Sequence, residues 1–522
     1  MNNFDMDECS SRGACTTAPN IAAMQEIILL IIQKISYYKS RLKHAQIEDY
    51  KYDSEILHII CILAFINDYE ESQLYSTIIK ALGIINYFKD KYIKNVQNPE
   101  PICDIPLNSD TRLPKMISFG ESILRAKYIK TRNTYQNLID ILVMVAKSAA
   151  LNLKWLNSFD LYSEDTFYII LKAFDIINRK GYGDEQSIKD NISLLSGISY
   201  NMQIKIGEAI VKSFGKISKT SVSFSSQNGK AILVSGNNLY CLEKLLKDTQ
   251  DKDIDIYTHS ELLISHALEN FKKYTHLKAH YGSSFKSPIR DFGTFPGAIL
   301  LTDNSPHTTD YYYRGRIYSL DDIDRKGVIK LEDTDFSQVI DSALDAKGFS
   351  SGKIKQPRVV GYNPEELYDL FENIAQKLKN DEIKRIYIVW VNSYSKMQEE
   401  YFKKLFDKLN DDEVVISLYY TSQKSNVYTI DMGQSIPLGI NMLNKLFELC
   451  PIDEKFIFYI TTCDVMTFSD VINVKNMGAK NIYIMSCPPA IINPTVLETF
   501  KTTYDIKSST TLEQDMSEIR KL

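Results

Sequence analysis

The chain has 522 residues, 44% hydrophobic and 24% charged, with a formal charge of −5. That is the balance of an ordinary globular protein, with length for three or so domains and a sizeable core. It gives no electrostatic footprint for nucleic acid or an anionic membrane, and apolar runs such as Ile27–Ile32 are too short to span a bilayer. The acidic start, Met1-Asn-Asn-Phe-Asp-Met-Asp-Glu-Cys9, reads as neither a secretory signal nor a basic transit peptide, so a cytoplasmic protein is expected.

From residue 20 to about 215 the text predicts helix after helix. Apolar residues recur at helical spacing from Ile27 to Ile35, over Ser54–Asn67 and from Leu74 to Phe88. A Pro-rich break follows, from Gln97 through Pro114. Helical spacing resumes over Asn133–Lys154 and Ser163–Arg179, the latter with Ser163 as N-cap. This predicts an N-terminal helical domain over 1–217, made of two small bundles with a break near 95–115.

Near residue 218 the texture changes to short apolar runs alternating with helical stretches. Ala231–Val234, Ile254–Tyr257 and Ala298–Leu301 read as strands of a first α/β domain over 218–355. Arg358–Val360, Arg385–Val391, Val414–Tyr419, Phe456–Ile460 and Asn481–Met485 read as strands of a second, over 356–522. The fold class is therefore α plus α/β: helical bundles, then two Rossmann-like α/β domains with mainly parallel sheets.

Eight cysteines, at 9, 15, 61, 103, 241, 450, 463 and 487, are scattered without a C-x-x-C, which predicts free thiols and no disulfide framework. Cys61 lies in an apolar helical run and reads as a packing residue, and Cys463 and Cys487 lack a basic neighbour that would activate them. Five of the seven histidines fall between His259 and His307: these two and His266, His276 and His280. Structural roles are the expectation, with metal binding at His280 and His307 as the sharper alternative. Gly348-Phe-Ser-Ser-Gly-Lys-Ile is one residue short of a phosphate loop and has Ile where Ser or Thr should bind magnesium, so it reads as an ordinary loop.

Several passages together resemble the hybrid-cluster protein family, also called prismane proteins or hydroxylamine reductases. They are Ile35-Ser-Tyr-Tyr, Ala231-Ile-Leu-Val-Ser-Gly-Asn-Asn-Leu, Tyr257-Thr-His-Ser-Glu-Leu-Leu through Tyr281-Gly282, and Phe295-Pro-Gly-Ala-Ile-Leu-Leu-Thr-Asp-Asn-Ser. Further along come Asp431-Met-Gly-Gln-Ser, Gly478-Ala-Lys-Asn-Ile-Tyr and Thr510-Thr-Leu-Glu-Gln-Asp. The resemblance implies a helical domain and two Rossmann-like domains around an iron–sulfur–oxygen cluster. It also implies where the cluster's ligands fall. The family's His stands at Asn237 and its first carboxylate at Glu261. Its cysteines fall at Ser305 (beside the retained Asn304), at Asn392, near Ser422 and at Ser435, and its last carboxylate at Asp464. Cys9 and Cys15 match two ligands of the family's N-terminal electron-transfer cluster, whose other two would lie upstream of Met1.

Iron–sulfur clusters want soft, anionic thiolates, whereas Ser and Asn supply hard, neutral oxygens. The expectation is a pseudoenzyme: no cofactor, the cluster lost, and the scaffold acting as a non-redox binding or partner protein. A polar cavity at the former cluster would take a small polar ligand or a hard cation, and a homo- or hetero-oligomer is open, with no nucleic acid and no membrane partner. Two alternatives stay open. One is a family-type oxidoreductase, reducing hydroxylamine, with nitric oxide reduction or S-nitrosylation. The other is a non-redox enzyme or hard-cation site using Glu261 and Asp464.

Overall fold

The computed structural model describes residues 18–64, 69–100, 102, 104–128, 132–176, 184–282, 288–302, 313–320, 327–391, 396–461, 464–485 and 494–521. The helical region holds α1 (Pro19–His44), α2 (Asp53–Ile62), α3 (Glu71–Asn95), α4 (Leu113–Tyr128), α5 (Thr134–Asn157), α6 (Glu164–Ile176) and α7 (Glu185–Phe214). By length and composition alone α1 could cross a membrane, but two thirds of its most apolar window is buried in the protein. Ile27, Ile28, Ile31, Ile32 and Ile35 are fully buried on it, against α3, α4 and α6. Arg41 of α1 pairs with Asp175 of α6 at 2.7 Å and Glu26 with Lys127 of α4 at 3.0 Å, so α1, which precedes the Pro-rich break, is tied to two helices that follow it. Local chemistry sets the helix starts. Asn133 and Gln136 form a reciprocal capping box on α5, and Ser163 accepts from Thr166 N at the head of α6.

The α/β part opens with β1 (Thr220–Val222), β2 (Lys230–Ser235), α8 (Leu239–Asp248), β3 (Ile254–His259), a 3-10 helix over Ser260–Ala267 and β4 (Leu277–His280). There follow α9 (Pro288–Thr294), β5 (Ala298–Leu301), β6 (Ile317–Ser319), β7 (Ile329–Lys330), α10 (Ser337–Asp345) and β8 (Arg358–Val360). The rest is α11 (Pro364–Lys379), β9 (Arg385–Val391), α12 (Lys396–Asp407), β10 (Glu413–Ser417), β11 (Val427–Thr429) and α13 (Ile436–Leu449). It closes with β12 (Phe456–Thr461), α14 (Val465–Asn476), β13 (Asn481–Ile484), α15 (Pro494–Tyr504), β14 (Lys507–Ser508) and α16 (Leu512–Ile519).

Two six-stranded sheets result, ordered β4-β3-β2-β5-β6-β7 and β11-β10-β9-β12-β13-β14. Every pair in both is parallel. Numbered from its own first strand, each sheet runs 3-2-1-4-5-6, the doubly wound order with its reversal between strands 1 and 4. The inner strands are mostly apolar because helices cover both faces: Ala231, Ile232, Leu233 and Val234 of β2 are all fully buried.

One strand departs from its expected place. β8 does not join the second sheet; it pairs antiparallel with β1, Thr220 opposite Val360 and Val222 opposite Arg358. Its burial alternates, with Val359 half in solvent and Val360 buried, which suits a one-faced ribbon and not the interior of a doubly covered sheet.

Candidate functional site

In doubly wound sheets, ligands sit beyond the carboxyl ends of the strands, at the reversal of strand order. The residues singled out in the sequence fall on those edges. Ser235 and His259 are register partners at the ends of β2 and β3, so Asn237 and Glu261, two residues past each, leave the first sheet side by side. Val391 and Thr461 are register partners at the ends of β9 and β12, and Asp464 lies three residues past the latter. Ser422 follows β10 and Ser435 follows β11 on the same edge. Asn304, Ser305, His307, Asn392, Cys9, Cys15, Cys103, Cys463 and Cys487 lie outside the described residues.

The two edges are brought together by close packing. Gly433, at φ 63°, lies so near the 3-10 helix that a Cβ there would stand 2.6 Å from Ile264 N. That contact sets the loop leading to Ser435 against the helix that begins beside Glu261. Both loops hold a non-glycine residue in the left-handed region just before the residue of interest: Ser260 at φ 60° before Glu261, and Gln434 at φ 67° before Ser435. Each costs roughly 1–2 kcal/mol, and such strain clusters where a site fixes the backbone. Arg358 locks the second loop from β8. It pairs with Asp431, which is 3% exposed, and its guanidinium lies 4.3 Å from the Tyr419 ring centre. Burial raises the Asp431 carboxyl above its usual range while the Arg358 charge pulls it back.

Asp464 has a structural task as well. It caps α14, accepting from Thr467 N at 2.8 Å and from the Thr467 hydroxyl. Helix α7 places two of the helices that start on this edge: Gly207 leaves room for Pro437 and Asn441 of α13, and Gln203 donates to Asp470 of α14. Ser435 is buried, Asn237 half-buried, and the Ser422 hydroxyl accepts from Lys424 N at 3.2 Å.

The histidines build a hydrogen-bonded cluster. Ser235 Oγ and His259 Nδ1 are 2.8 Å apart, and His259 Nε2 faces Asp291 Oδ2 at 3.5 Å. The Thr258 hydroxyl bridges His266 Nε2 and His280 Nδ1, both at 2.9 Å. Burial lowers His266 to about 4 and His280 well below its usual range, so both rings are neutral. His276 bonds Thr249 and the Leu246 carbonyl. One ring nitrogen of each of His259, His266, His276 and His280 thus bonds a neighbouring fold residue. The Gly348 loop also bridges to the residue just before β2, Phe349 N to Gly229 O at 2.9 Å, as an ordinary loop would. Sequence reasoning missed Arg358, whose partner Asp431 is 73 residues away, and no local signal could have joined them.

Residues 3–438 match the model of the Prismane/CO dehydrogenase family. The chain belongs to that family. A hydroxylamine reductase of Zymomonas mobilis subsp. mobilis is 25% identical over 533 residues, spanning 98% of this chain and 96% of that protein. One from Thermodesulfovibrio yellowstonii is 24% identical over 533 residues, spanning 98% and 97%. Among solved structures, the alpha subunit of an acetyl-CoA synthase/carbon monoxide dehydrogenase with Fe4S4 clusters matches with a TM-score of 0.50. It is 11% identical and covers 98% of this chain and 83% of that one, a likeness of fold.

These matches correct the expectation of no cofactor. The Prismane/CO dehydrogenase family is a family of iron–sulfur cluster proteins, and a cluster of that kind is the cofactor membership implies. The expectation failed because it inferred absence from side chains at single aligned positions. Glu261 fits the implied group as the family's carboxylate, whereas Asn237, Ser422 and Ser435 present neutral amide or hydroxyl oxygens and do not fit it as imidazole or thiolates would. Membership and donor chemistry therefore disagree within this prismane-family site.

Proposed function

We propose that this chain is an oxidoreductase-type prismane scaffold whose junction site binds a small polar ligand or a partner and no longer reduces hydroxylamine. The donor set carries the reading. Asn237, Glu261 and Ser435 leave the two sheet edges as oxygen donors, and the backbone before Glu261 and Ser435 is held in strained, left-handed conformations. Oxygens of this kind suit a hydrogen-bonding molecule or a hard cation such as Mg²⁺. A cytoplasmic location and a homo- or hetero-oligomer go with this reading. A second reading, hydroxylamine reduction as in the named relatives, is favoured by matches that run end to end.

The test is hydroxylamine-dependent oxidation of a reduced viologen, on protein purified without oxygen, with iron and acid-labile sulfide measured on the same sample. The expected result is no turnover above buffer in a sample whose iron and sulfide content is known. Turnover that Glu261→Ala abolishes would favour the reductase and overturn the proposal.

A further inference from the structure

Helix α14, which begins at the Asp464 cap, carries a second carboxyl into the joint with the helical region. Asp470 and Gln203 are both fully buried, and Tyr200 of α7 is 3% exposed. Gln203 Nε2 donates to Asp470 Oδ1 at 2.6 Å. The other oxygen of each group, Asp470 Oδ2 and Gln203 Oε1, is buried without a hydrogen-bond partner, and so is the Tyr200 hydroxyl. Two unpartnered acceptors on one bonded pair are a conflict of a particular kind, because both lack a donor. No cation relieves it. The charged group that acts on Asp470 is the Asp464 carboxylate of its own helix; among the described residues no Lys, Arg or His of the packed helices α5, α7 and α15 contributes. The titratable group facing it from α7 is the Tyr200 phenol, whose ionisation burial opposes first, then Asp470 and Glu448. Burial, with Asp464 adding to it, pushes the Asp470 carboxyl well above the usual carboxylate range.

We propose that Asp470 keeps its proton in the folded protein at neutral pH and donates it from Oδ2 to Gln203 Oε1, closing a two-point acid–amide pair that fastens α14 to α7. One proton then removes the buried charge and satisfies both orphaned oxygens, which no other single change does. The pair also fixes the helix at whose head Asp464 stands, so ionising Asp470 loosens the seat of that residue. The inference stands apart from the proposed function, since it concerns the joint and holds whatever the junction site binds.

The test uses the full-length chain. The infrared difference spectrum between wild type and Asp470→Asn at pH 7 should contain the carbonyl stretch of an un-ionised carboxylic acid, present in wild type and lost in the variant. Asparagine reproduces the acid's geometry with a permanent N–H, so D470N should fold and be at least as stable as wild type at that pH. The sign follows from linkage. An acid raised in the folded state contributes fully below the unfolded value of ~3.9, and that contribution is lost as pH rises toward the folded value, about tenfold in the folded-to-unfolded ratio per pH unit. Urea unfolding from pH 5 to 8 should therefore show wild type losing ground to D470N as pH rises. In Gln203→Leu the acid band should shift, because its acceptor is gone. An ionised-carboxylate signal in wild type, a D470N protein that fails to fold, or a stability difference flat with pH would each overturn the proposal.

Discussion

Replacing Arg358 by methionine would strand a buried charge. Asp431 is 3% exposed and keeps one bond, from Gly433 N at 2.8 Å, once the guanidinium is gone. Breaking a buried ion pair from one side costs roughly 3–5 kcal/mol. The Arg358 side chain is 28% exposed, so water can reach the space it vacates, and the lower end, about 3 kcal/mol at pH 7, is the expected loss. Asp431→Asn should cost less, about 1–2 kcal/mol, because Arg358 can hydrate where Asp431 cannot. The double variant should recover part of the loss, with a coupling of at least about 1.5 kcal/mol. Urea is the denaturant of choice, since guanidinium mimics the side chain under test. Trp390, in β9, is buried, and the other tryptophan is Trp155 in α5, so a Trp155→Phe background leaves one reporter, inside the second sheet. The penalty should shrink in acid, because losing Arg358 lets the Asp431 carboxyl rise further and protonate sooner. A single-variant loss below about 0.5 kcal/mol, or additive single losses, would refute the argument that this pair clamps the loop.

Gly433→Ala forces a side chain into the left-handed region against the backbone of Ile264, and should cost at least about 1–2 kcal/mol. Faster amide exchange over residues 260–267 would accompany it, and unchanged exchange would mean the two loops are not in contact. His266 should stay neutral from pH 8 to 5, since burial holds it at about 4. Unfolded histidine takes a proton below ~6.5, so this contribution is present above that pH and is lost as pH falls toward 4. An imidazole NMR titration that places His266 near 6.5 would contradict the buried cluster.

Strands were most legible where the physics is local. Ala298–Leu301 and Arg385–Val391 read with the bounds they have, because parallel strands covered on both faces are continuous apolar runs. Helix α4 went unread: it starts at the end of the Pro-rich break and fills the stretch before Asn133. Its second residue is Pro114, and proline near a helix N-terminus starts a helix as readily as it ends a linker. β8 had the right bounds and the wrong partner, since three residues cannot say which sheet they join. Within the candidate site, the sequence order of Asn237 and Glu261 was readable, and their adjacency had to wait for the register of β2 with β3. The contacts that brace the site were out of reach. Arg358 with Asp431 and Gln203 with Asp470 join residues 73 and 267 positions apart, and nothing in either neighbourhood names the other.

The last rungs of the two ladders lie at Ser235–His259 and Val391–Thr461, and Asn237, Glu261, Ser422, Ser435 and Asp464 each come after a strand has ended. A substitution there breaks no rung of either sheet. Apart from Asp464, which caps α14, side chains on this rim can therefore change without unpairing the layers behind it. A chain 25% identical to a hydroxylamine reductase over nearly its whole length can thus share that frame whatever side chains stand at its opening.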